Sequence, residues 1–330
     1  MRISKRTVRV PMAILPGLLL GLCIFGTRPS WSQDVGDEGI WSEAAQISQA
    51  RNELFGGVVD GKFYAFGGFD GETYESDHVE VYDPAENSWT ELSPMLEGAN
   101  HAGIAVLDDK IYIAGGFRAR QHNDEKDSFL VFHPLSNHWE HLAPLPLPRG
   151  ALSLAGVGTK IHAIGGRRGD TVLAEHDVYD IATGRWTAAA ALPTARDHAG
   201  VAVLNGKIHI FGGRLGATDH NVALHDIYDS QTDRWVSAPP MPTARSAGAY
   251  AEYKGLLFYL GGECTRDGAN FDDTEAFDPA SNSWRIFDPM PVPLHGQAAG
   301  AIGDRIYMTS GSDPCGSGIR KNETWVFTLP

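Results

Sequence analysis

Short apolar runs separated by turn residues dominate the chain from about residue 40 onward, and they predict β-strands rather than helices. Residues 199–204 form an almost continuous apolar run, Asn205-Gly206 follows it, and residues 207–211 form a second run. Asn-Gly favours a two-residue type I′ turn, because both central residues of that turn need a positive φ. The pattern therefore predicts a β-hairpin whose first strand is buried on both faces.

Two further strands are predicted after each hairpin, beyond a loop of variable length. Residues 79–82 alternate apolar and polar side chains, as a half-buried strand does. Residues 83–87 (Asp-Pro-Ala-Glu-Asn) have the composition of a turn, and Trp89 opens the next strand. No helical period appears in this part of the chain, so the sequence predicts units of four short antiparallel strands.

A pair of glycines ends the second strand of each unit and recurs at intervals of 47 to 50 residues. The pairs are Gly67-Gly68, Gly115-Gly116, Gly165-Gly166, Gly212-Gly213 and Gly261-Gly262, with Ser310-Gly311 as a degraded sixth copy. A tryptophan lies 27 residues before the second glycine in every unit, from Trp41 to Trp284. Periods of this size are typical of repeat architectures.

The glycine pair, the Tyr-Asp-Pro segment at residues 82–84 and the spaced tryptophan resemble the kelch repeat. The resemblance covers residues from about 40 to 330 and implies an all-β fold, a six-bladed kelch β-propeller with four antiparallel strands per blade. The blades are centred on Gly68, Gly116, Gly166, Gly213, Gly262 and Gly311. Residues 324–328 match the third strand of a blade. Residues 40–42 are expected to supply its fourth strand, so that an N-terminal outer strand closes the ring.

The N-terminal segment has the pattern of a secretory signal peptide. It begins with four basic residues within nine positions, continues with an apolar stretch from Met12 to Phe25, and has small residues before a cleavage point at Gln33. We therefore expect residues 1–32 to be a signal peptide, residues 33–39 a short linker, and residues 40–330 a single propeller in a secreted or periplasmic protein. An uncleaved membrane anchor is the alternative, although the apolar stretch is short for a span.

The chain is acidic, with a formal net charge of −14 at pH 7. The predicted signal peptide holds five of the 27 basic residues and no acidic residue, so the rest of the chain carries 22 basic and 41 acidic residues. This excess of negative charge argues against nucleic acid or an anionic membrane as a partner. A monomer is expected.

Two cysteines follow the predicted signal peptide, and each lies just beyond the glycine pair of its blade. Cys264 belongs to blade five and Cys315 to blade six. Equivalent loops of neighbouring blades open on the same face, and an oxidising compartment favours a disulfide between two such cysteines. Two separate buried thiols are the alternative.

In kelch propellers the usual binding face combines two rings of residues. The resemblance therefore implies candidate residues for both rings, identified by their spacing from the glycine pair. The ring at the start of the innermost strands includes Asn52, Glu53, Asn100, His101, Asp197, His198 and His295. The ring after the glycine pair includes Phe69, Phe117, Arg167, Arg214 and Glu263. Arginine forks suit carboxylates, and aromatic rings stack on sugars, so the predicted ligand is a small acidic or sugar-like molecule or an acidic peptide. A rim of solvated charges that pair with one another is the alternative.

No metal and no cofactor are predicted. His101 and His198 are equivalent in the repeat but belong to blades two and four, whereas metal ligands normally arrive at short spacing. The sequence has no phosphate loop, nucleophile elbow, zinc signature or dinucleotide fingerprint. Galactose oxidase shares the kelch propeller, but its copper ligands, which include a cysteine-linked tyrosine, have no counterpart here.

Three functions remain open from the sequence, because a fold alone does not choose among them. The favoured one is an extracytoplasmic binding module for a protein or for a small acidic or sugar ligand at the propeller mouth. The alternative enzyme is a mutarotase- or epimerase-like isomerase that resembles periplasmic sialic acid mutarotases. Its weak catalytic candidates are Glu53, His101 and His198, with Arg167 or Arg214 on the substrate carboxylate. That resemblance holds only at the repeat level, since the long insertions of those enzymes are absent. An assembly scaffold is the third possibility.

Overall fold

The computed structural model describes residues 39–119, 122–316 and 318–330, and the predicted signal peptide lies outside these residues. The strands of the first half are β1 (Ile40–Ala44), β2 (Phe55–Val59), β3 (Lys62–Phe66), β4 (Val79–Asp83), β5 (Ser88–Glu91), β6 (Gly103–Leu107), β7 (Lys110–Ala114), β8 (Phe129–His133), β9 (His138–His141), β10 (Ser153–Val157), β11 (Lys160–Ile164), β12 (Arg167–Arg168), β13 (Thr171–Val172), β14 (His176–Asp180) and β15 (Arg185–Ala188).

The strands of the second half are β16 (Gly200–Leu204), β17 (Lys207–Phe211), β18 (His225–Asp229), β19 (Arg234–Ser237), β20 (Ala249–Tyr253), β21 (Leu256–Gly262), β22 (Phe271–Asp278), β23 (Ser283–Phe287), β24 (Ala298–Ile302), β25 (Arg305–Thr309), β26 (Ser312–Asp313), β27 (Ile319–Arg320) and β28 (Thr324–Thr328). Residues Pro134–Ser136 form a 3-10 helix between β8 and β9. No helix among the described residues is long and apolar enough to cross a bilayer.

The strands form six four-stranded antiparallel sheets, which confirms the predicted six-bladed propeller. The sheets, from innermost to outermost strand, are β2-β3-β4-β5, β6-β7-β8-β9, β10-β11-β14-β15, β16-β17-β18-β19, β20-β21-β22-β23 and β24-β25-β28-β1. Each innermost strand packs against that of the next blade, from β2 through β6, β10, β16, β20 and β24 and back to β2. The short hairpins β12–β13 and β26–β27, which the sequence did not predict, extend the loops after the glycine pairs of blades three and six.

The ring closes through the N-terminal strand. β1 pairs with β28 in antiparallel register, from Ile40 opposite Thr328 to Ala44 opposite Thr324. The Trp41 ring packs on Phe327 with 5.0 Å between centroids. Blade six is therefore built from both ends of the described chain, and neither β28 nor β25 is left as an open edge.

The predicted turns have the backbone that their sequence requires. In the β16–β17 hairpin, Asn205 has φ 52° and Gly206 has φ 73°. In the β2–β3 hairpin, Asp60 has φ 48° and Gly61 has φ 68°. Both central residues lie in the left-handed region, as a type I′ turn demands.

The repeated tryptophan joins each blade to the one before it. The Trp139 indole packs between blades at 5.8 Å from the Phe66 ring, and its Nε1 donates to the Ser93 carbonyl at 3.2 Å. Ser93 follows the outermost strand of the preceding blade. The same indole-to-carbonyl hydrogen bond recurs at the other five blades, so the tryptophan spacing in the sequence reflects a contact between blades.

The glycine pair forms the second contact between blades. The N–H of Gly116 donates at 3.0 Å to the carbonyl of Arg149, in the segment that enters blade three. Gly115 has φ 66°, and a Cβ there would lie 2.2 Å from the same carbonyl oxygen. Only glycine combines this backbone conformation with so close an approach.

The arginine of the entering segment then anchors the next blade. The side chain of Arg149 is fully buried, donates to the Ala163 carbonyl at 3.0 Å and pairs with Asp177 at 2.9 Å, both in blade three. Fully buried arginines in the same place pair with an acid of the third strand in three other blades. These pairs are Arg51–Glu80, Arg196–Asp226 and Arg245–Glu275.

Replacing Arg149 by Met should lower the free energy of unfolding by about 3–5 kcal/mol, because the Asp177 carboxylate would lose its partner in a mostly buried site. Equilibrium urea denaturation measures the change, and Arg185→Met on the exposed face of β15 is the control. A loss in the Arg149 variant no greater than in the control would contradict the anchoring role.

Candidate functional site

Six residues, one per blade, form a ring around the propeller axis just before the innermost strands. They are Glu53, His101, Ala151, His198, Ala247 and Gly296, and their φ angles lie between 51° and 64°. Five backbone hydrogen bonds of 2.8–3.2 Å run around this ring, each from an N–H to the carbonyl of the ring residue one blade earlier. Because two alanines share the left-handed conformation, it belongs to the fold and not to a particular chemistry.

The two rings predicted by spacing are neighbours in the structure. In each blade the residue before the axial ring residue forms an isolated antiparallel bridge with the residue after the glycine pair. The bridges are Asn52–Phe69, Asn100–Phe117, Gly150–Arg167, Asp197–Arg214, Ser246–Glu263 and His295–Ser312. The loop after the glycine pair is thus fixed to the axial ring by backbone hydrogen bonds in every blade.

A cavity of about 300 Å³ opens at this end of the propeller. Its lining residues are Asn52, Glu53, Phe69, His101, His122, Thr218, Glu263, His295 and Gly316, contributed by five of the six blades. Six of these nine residues were candidates from the sequence. His122, Thr218 and Gly316 were not, because they lie in the variable loops, where spacing from the repeat marks carries no information.

Glu53 forms the polar centre of the cavity. Its Oε2 lies 3.1 Å from His101 Nε2, and its Oε1 lies 3.7 Å from His295 Nε2. Burial raises the pKa of Glu53 to about 8, the charge of Glu263 adds to the rise, and Arg214 opposes it. At neutral pH the carboxyl group is therefore mainly protonated and donates its hydrogen bond to His101.

Arg214 is buried and each of its guanidinium nitrogens has a partner. Nε donates to Asp197 at 3.0 Å and Nη1 donates to Glu263 at 2.5 Å. Nη2 lies 3.1 Å from His198 Nε2 and 3.4 Å from His122 Nε2. Burial lowers the pKa of Arg214, but the charges of Glu263 and Asp197 outweigh that effect and raise it.

Arg167 is likewise occupied by the protein. Its Nε donates to the Gly169 carbonyl and its Nη1 to the Gly216 carbonyl, both at 3.0 Å, while Asp197 lies 3.5 Å away. Neither Arg167 nor Arg214 lines the cavity. The arginine forks expected to meet a ligand carboxylate are therefore already engaged, because Asp197 and Glu263 pair with them and backbone carbonyls accept further hydrogen bonds from Arg167.

Three other candidates do not line the cavity but contact the axial histidines His101 and His198. Asn100 donates from Nδ2 to the Phe117 carbonyl at 2.9 Å, and its Oδ1 lies 2.6 Å from His101 Nδ1. Asp197 Oδ1 lies 2.7 Å from His198 Nδ1. The fully buried Phe117 ring packs edge-on against His101, at 5.8 Å between centroids.

The histidines of blades two and four meet, although a blade lies between them in the sequence. The ring centroids of His101 and His198 are 5.0 Å apart, because the axial ends of all blades converge. The intervening blade therefore does not separate their side chains. His122, from the loop of blade two, packs against both rings at 4.8 and 5.0 Å.

The Cys264–Cys315 pairing predicted from the sequence is present. The two sulfurs are at bonding distance, the Cα atoms are 5.2 Å apart, and the bond links positions 51 residues apart. It ties the mouth loops of blades five and six together beside the cavity-lining residues Glu263 and Gly316.

Known sequences place the chain in one family. Residues 101–311 match the family model described as the KLHDC2/KLHL20/DRC7 Kelch-repeats domain, and residues 51–96 match the Kelch motif. The chain belongs to the kelch-repeat family. No curated protein matches its sequence.

A solved structure titled "Structure of YjhT" is similar to this kelch propeller, with a TM-score of 0.73. The match covers 86% of this chain and 96% of that one, at 13% sequence identity. At this identity the likeness shows the fold alone. A kelch propeller serves as a binding or an enzymatic module, so the choice between them has to come from the residues at the mouth.

Proposed function

We propose that this kelch protein is an extracytoplasmic binding module whose mouth takes a small sugar-type ligand. The observation that carries the proposal is the cavity of about 300 Å³, in which polar groups from several blades surround one half-buried aromatic ring, Phe69. A concave site with a few convergent polar groups is the usual form of a small-molecule site.

The polar groups of the cavity have hydrogen-bonding capacity to spare. Asn52 Oδ1 is buried and has no hydrogen-bond partner among the described residues. Buried polar atoms are normally satisfied, so such an acceptor favours a ligand hydroxyl group there. Phe69 is held edge-on by Tyr74 and His101, at 5.7 and 5.6 Å between centroids, which leaves an oriented ring for stacking on the sugar.

The charges favour a neutral sugar over an acidic one. A ligand carboxylate would have to displace Asp197 or Glu263 from Arg214, and it would enter a cavity that Glu263 lines. Like charges brought together in a desolvated site are repelled strongly. We therefore expect neutral sugars to bind more tightly than sugar acids.

An extracytoplasmic location is supported by two features. The N-terminal pattern is that of a secretory signal, and the paired Cys264 and Cys315 suit an oxidising compartment. Intact-mass analysis of the exported protein tests this location: we expect a chain that begins at Gln33 and contains no free thiol, whereas retention of residues 1–32 would indicate a membrane anchor.

A thermal-shift panel of neutral hexoses, N-acetylhexosamines and sugar acids should identify a neutral sugar that stabilises the protein, by about 2.7 kcal/mol at 100 times its Kd. Phe69→Ala removes the stacking ring and should lower the affinity for that sugar by about tenfold in calorimetric titration. A loss of this size lies within the range for aromatic contacts. Leu135→Ala, at a side chain that is 91% exposed on the β8–β9 turn, is the control.

Two results would count against sugar binding at the mouth. Unchanged affinity in the Phe69 variant would move the site elsewhere on the protein. A panel without any shift would support a protein partner instead, to be sought by pull-down from the extracytoplasmic fraction.

A second candidate function is sugar isomerisation at the same mouth. The observation that favours it is the 3.1 Å contact between Glu53 and His101 on the cavity wall, since anomer exchange needs one acid and one base near the anomeric carbon. His198 is the further candidate, but it is held by Asp197 and Arg214 and lies outside the cavity lining.

If the protein is an isomerase, NMR exchange spectroscopy should show anomer interconversion faster than in buffer. Glu53→Gln keeps the shape but removes the transferable proton, and should slow the exchange by about 10²–10⁴-fold. Glu72→Gln, on an exposed loop of blade one, is the control. Exchange at the buffer rate with the wild-type protein would exclude this activity for the sugars tested, and full activity of Glu53→Gln would exclude Glu53 as the catalytic acid.

A further inference from the structure

We propose that His101, His122 and His198 bind a divalent transition-metal ion, for which Zn²⁺ and Cu²⁺ have the matching preference for imidazole. The three rings form one cluster on the cavity side of the mouth, two from blade two and one from blade four. The proposal concerns an ion site, and it holds whether or not the cavity binds a sugar.

The spacing of the donor nitrogens carries the proposal. One ring nitrogen from each histidine lies within 4.8 Å of the other two. A tetrahedral zinc ion with bonds of 2.0–2.1 Å holds its ligand nitrogens about 3.4 Å apart. Small side-chain rotations that shorten the distances between these nitrogens by at most about 1.5 Å therefore bring them to coordination distance.

The neighbours of the rings fix the tautomers that a metal needs. His198 Nδ1 faces the Asp197 carboxylate at 2.7 Å, and His101 Nδ1 faces the Asn100 amide oxygen at 2.6 Å. These oxygens only accept hydrogen bonds, so each Nδ1 carries the hydrogen and each Nε2 keeps its lone pair. Metal-binding histidines typically donate their other ring N–H to a carboxylate or carbonyl oxygen in this way.

The lone pairs of two rings converge on one point. The Nε2 atoms of His198 and His122 lie 3.1 and 3.4 Å from the same atom, Nη2 of Arg214. An ion would replace this N–H as the partner of both rings, while Arg214 keeps Asp197 and Glu263 through its other two nitrogens.

The cluster borders the cavity, because His101 and His122 are among its lining residues. A fourth coordination position on this side therefore stays open to water or a ligand oxygen.

The test uses the purified full-length protein, stripped with a chelator and titrated with Zn²⁺ in a calorimeter, and with Cu²⁺ for electron paramagnetic resonance. We expect one ion per chain and nitrogen hyperfine couplings from histidine in the copper spectrum. His122→Asn should lower the affinity for Zn²⁺ by about tenfold or more. Because His122 lies in a loop outside the strands, this variant should keep the thermal stability of the wild type. His138→Asn, at an exposed position of β9, is the matched control.

Several results would overturn the site. They are the absence of stoichiometric binding in the wild type, a copper spectrum without nitrogen couplings, and zinc binding by His122→Asn that is as tight as that by His138→Asn. His198→Asn should also weaken the binding of Zn²⁺, and if this variant fails to fold, the His122 variant alone decides the question. A negative sugar screen has no bearing on any of these measurements.

Discussion

The close approach of the glycine pair to the backbone of the next blade is the contact on which the propeller depends. Blade two can reach the segment that enters blade three only because a Cβ is absent at Gly115, where it would lie 2.2 Å from the Arg149 carbonyl oxygen. The side chain of Arg149 then anchors blade three, and two residues later Ala151 takes its place in the axial ring. One contact therefore sets the spacing of the blades and the radius at which the mouth residues meet.

Because of this constraint, the blades share one backbone at the mouth and differ there only in their side chains. The backbone of the axial ring is the same in all six blades, so the site is defined by which side chain stands at each equivalent position. Blades one, two and four carry Glu53, His101 and His198, whereas the other three carry alanine or glycine. The small residues leave the space into which the larger ones project, and the polar groups cluster although the fold is nearly symmetric.

The repeat spacing predicted the blades and the closure by β1, and the residue types Asn205-Gly206 predicted the type I′ turn. The Cys264–Cys315 pair was predicted from its place just beyond the glycine pairs of neighbouring blades and from the expected oxidising compartment. Position in the repeat gives a residue's blade and its height along the axis, which is why six cavity-lining residues were found. It does not give the path of a variable loop, so His122 was missed. Position in the repeat also does not predict which side chain of another blade a residue contacts. The pairing of Arg214 with Glu263 is therefore known only from the structure.

The electrostatics of the mouth follow from burial rather than from the negative charge of the whole chain. Two arginines meet two carboxylates, the histidines are neutral, and Glu53 keeps its proton, so the mouth has little net charge. What it offers a ligand is mainly acceptors, such as the unpaired Asn52 Oδ1 and the lone pairs of His122 and His198, which Arg214 contacts. Sugar hydroxyl groups and a metal ion both need acceptors, whereas a carboxylate needs donors, and the arginine donors are already engaged. The proposed sugar site and the proposed metal site therefore rest on the same balance of charges.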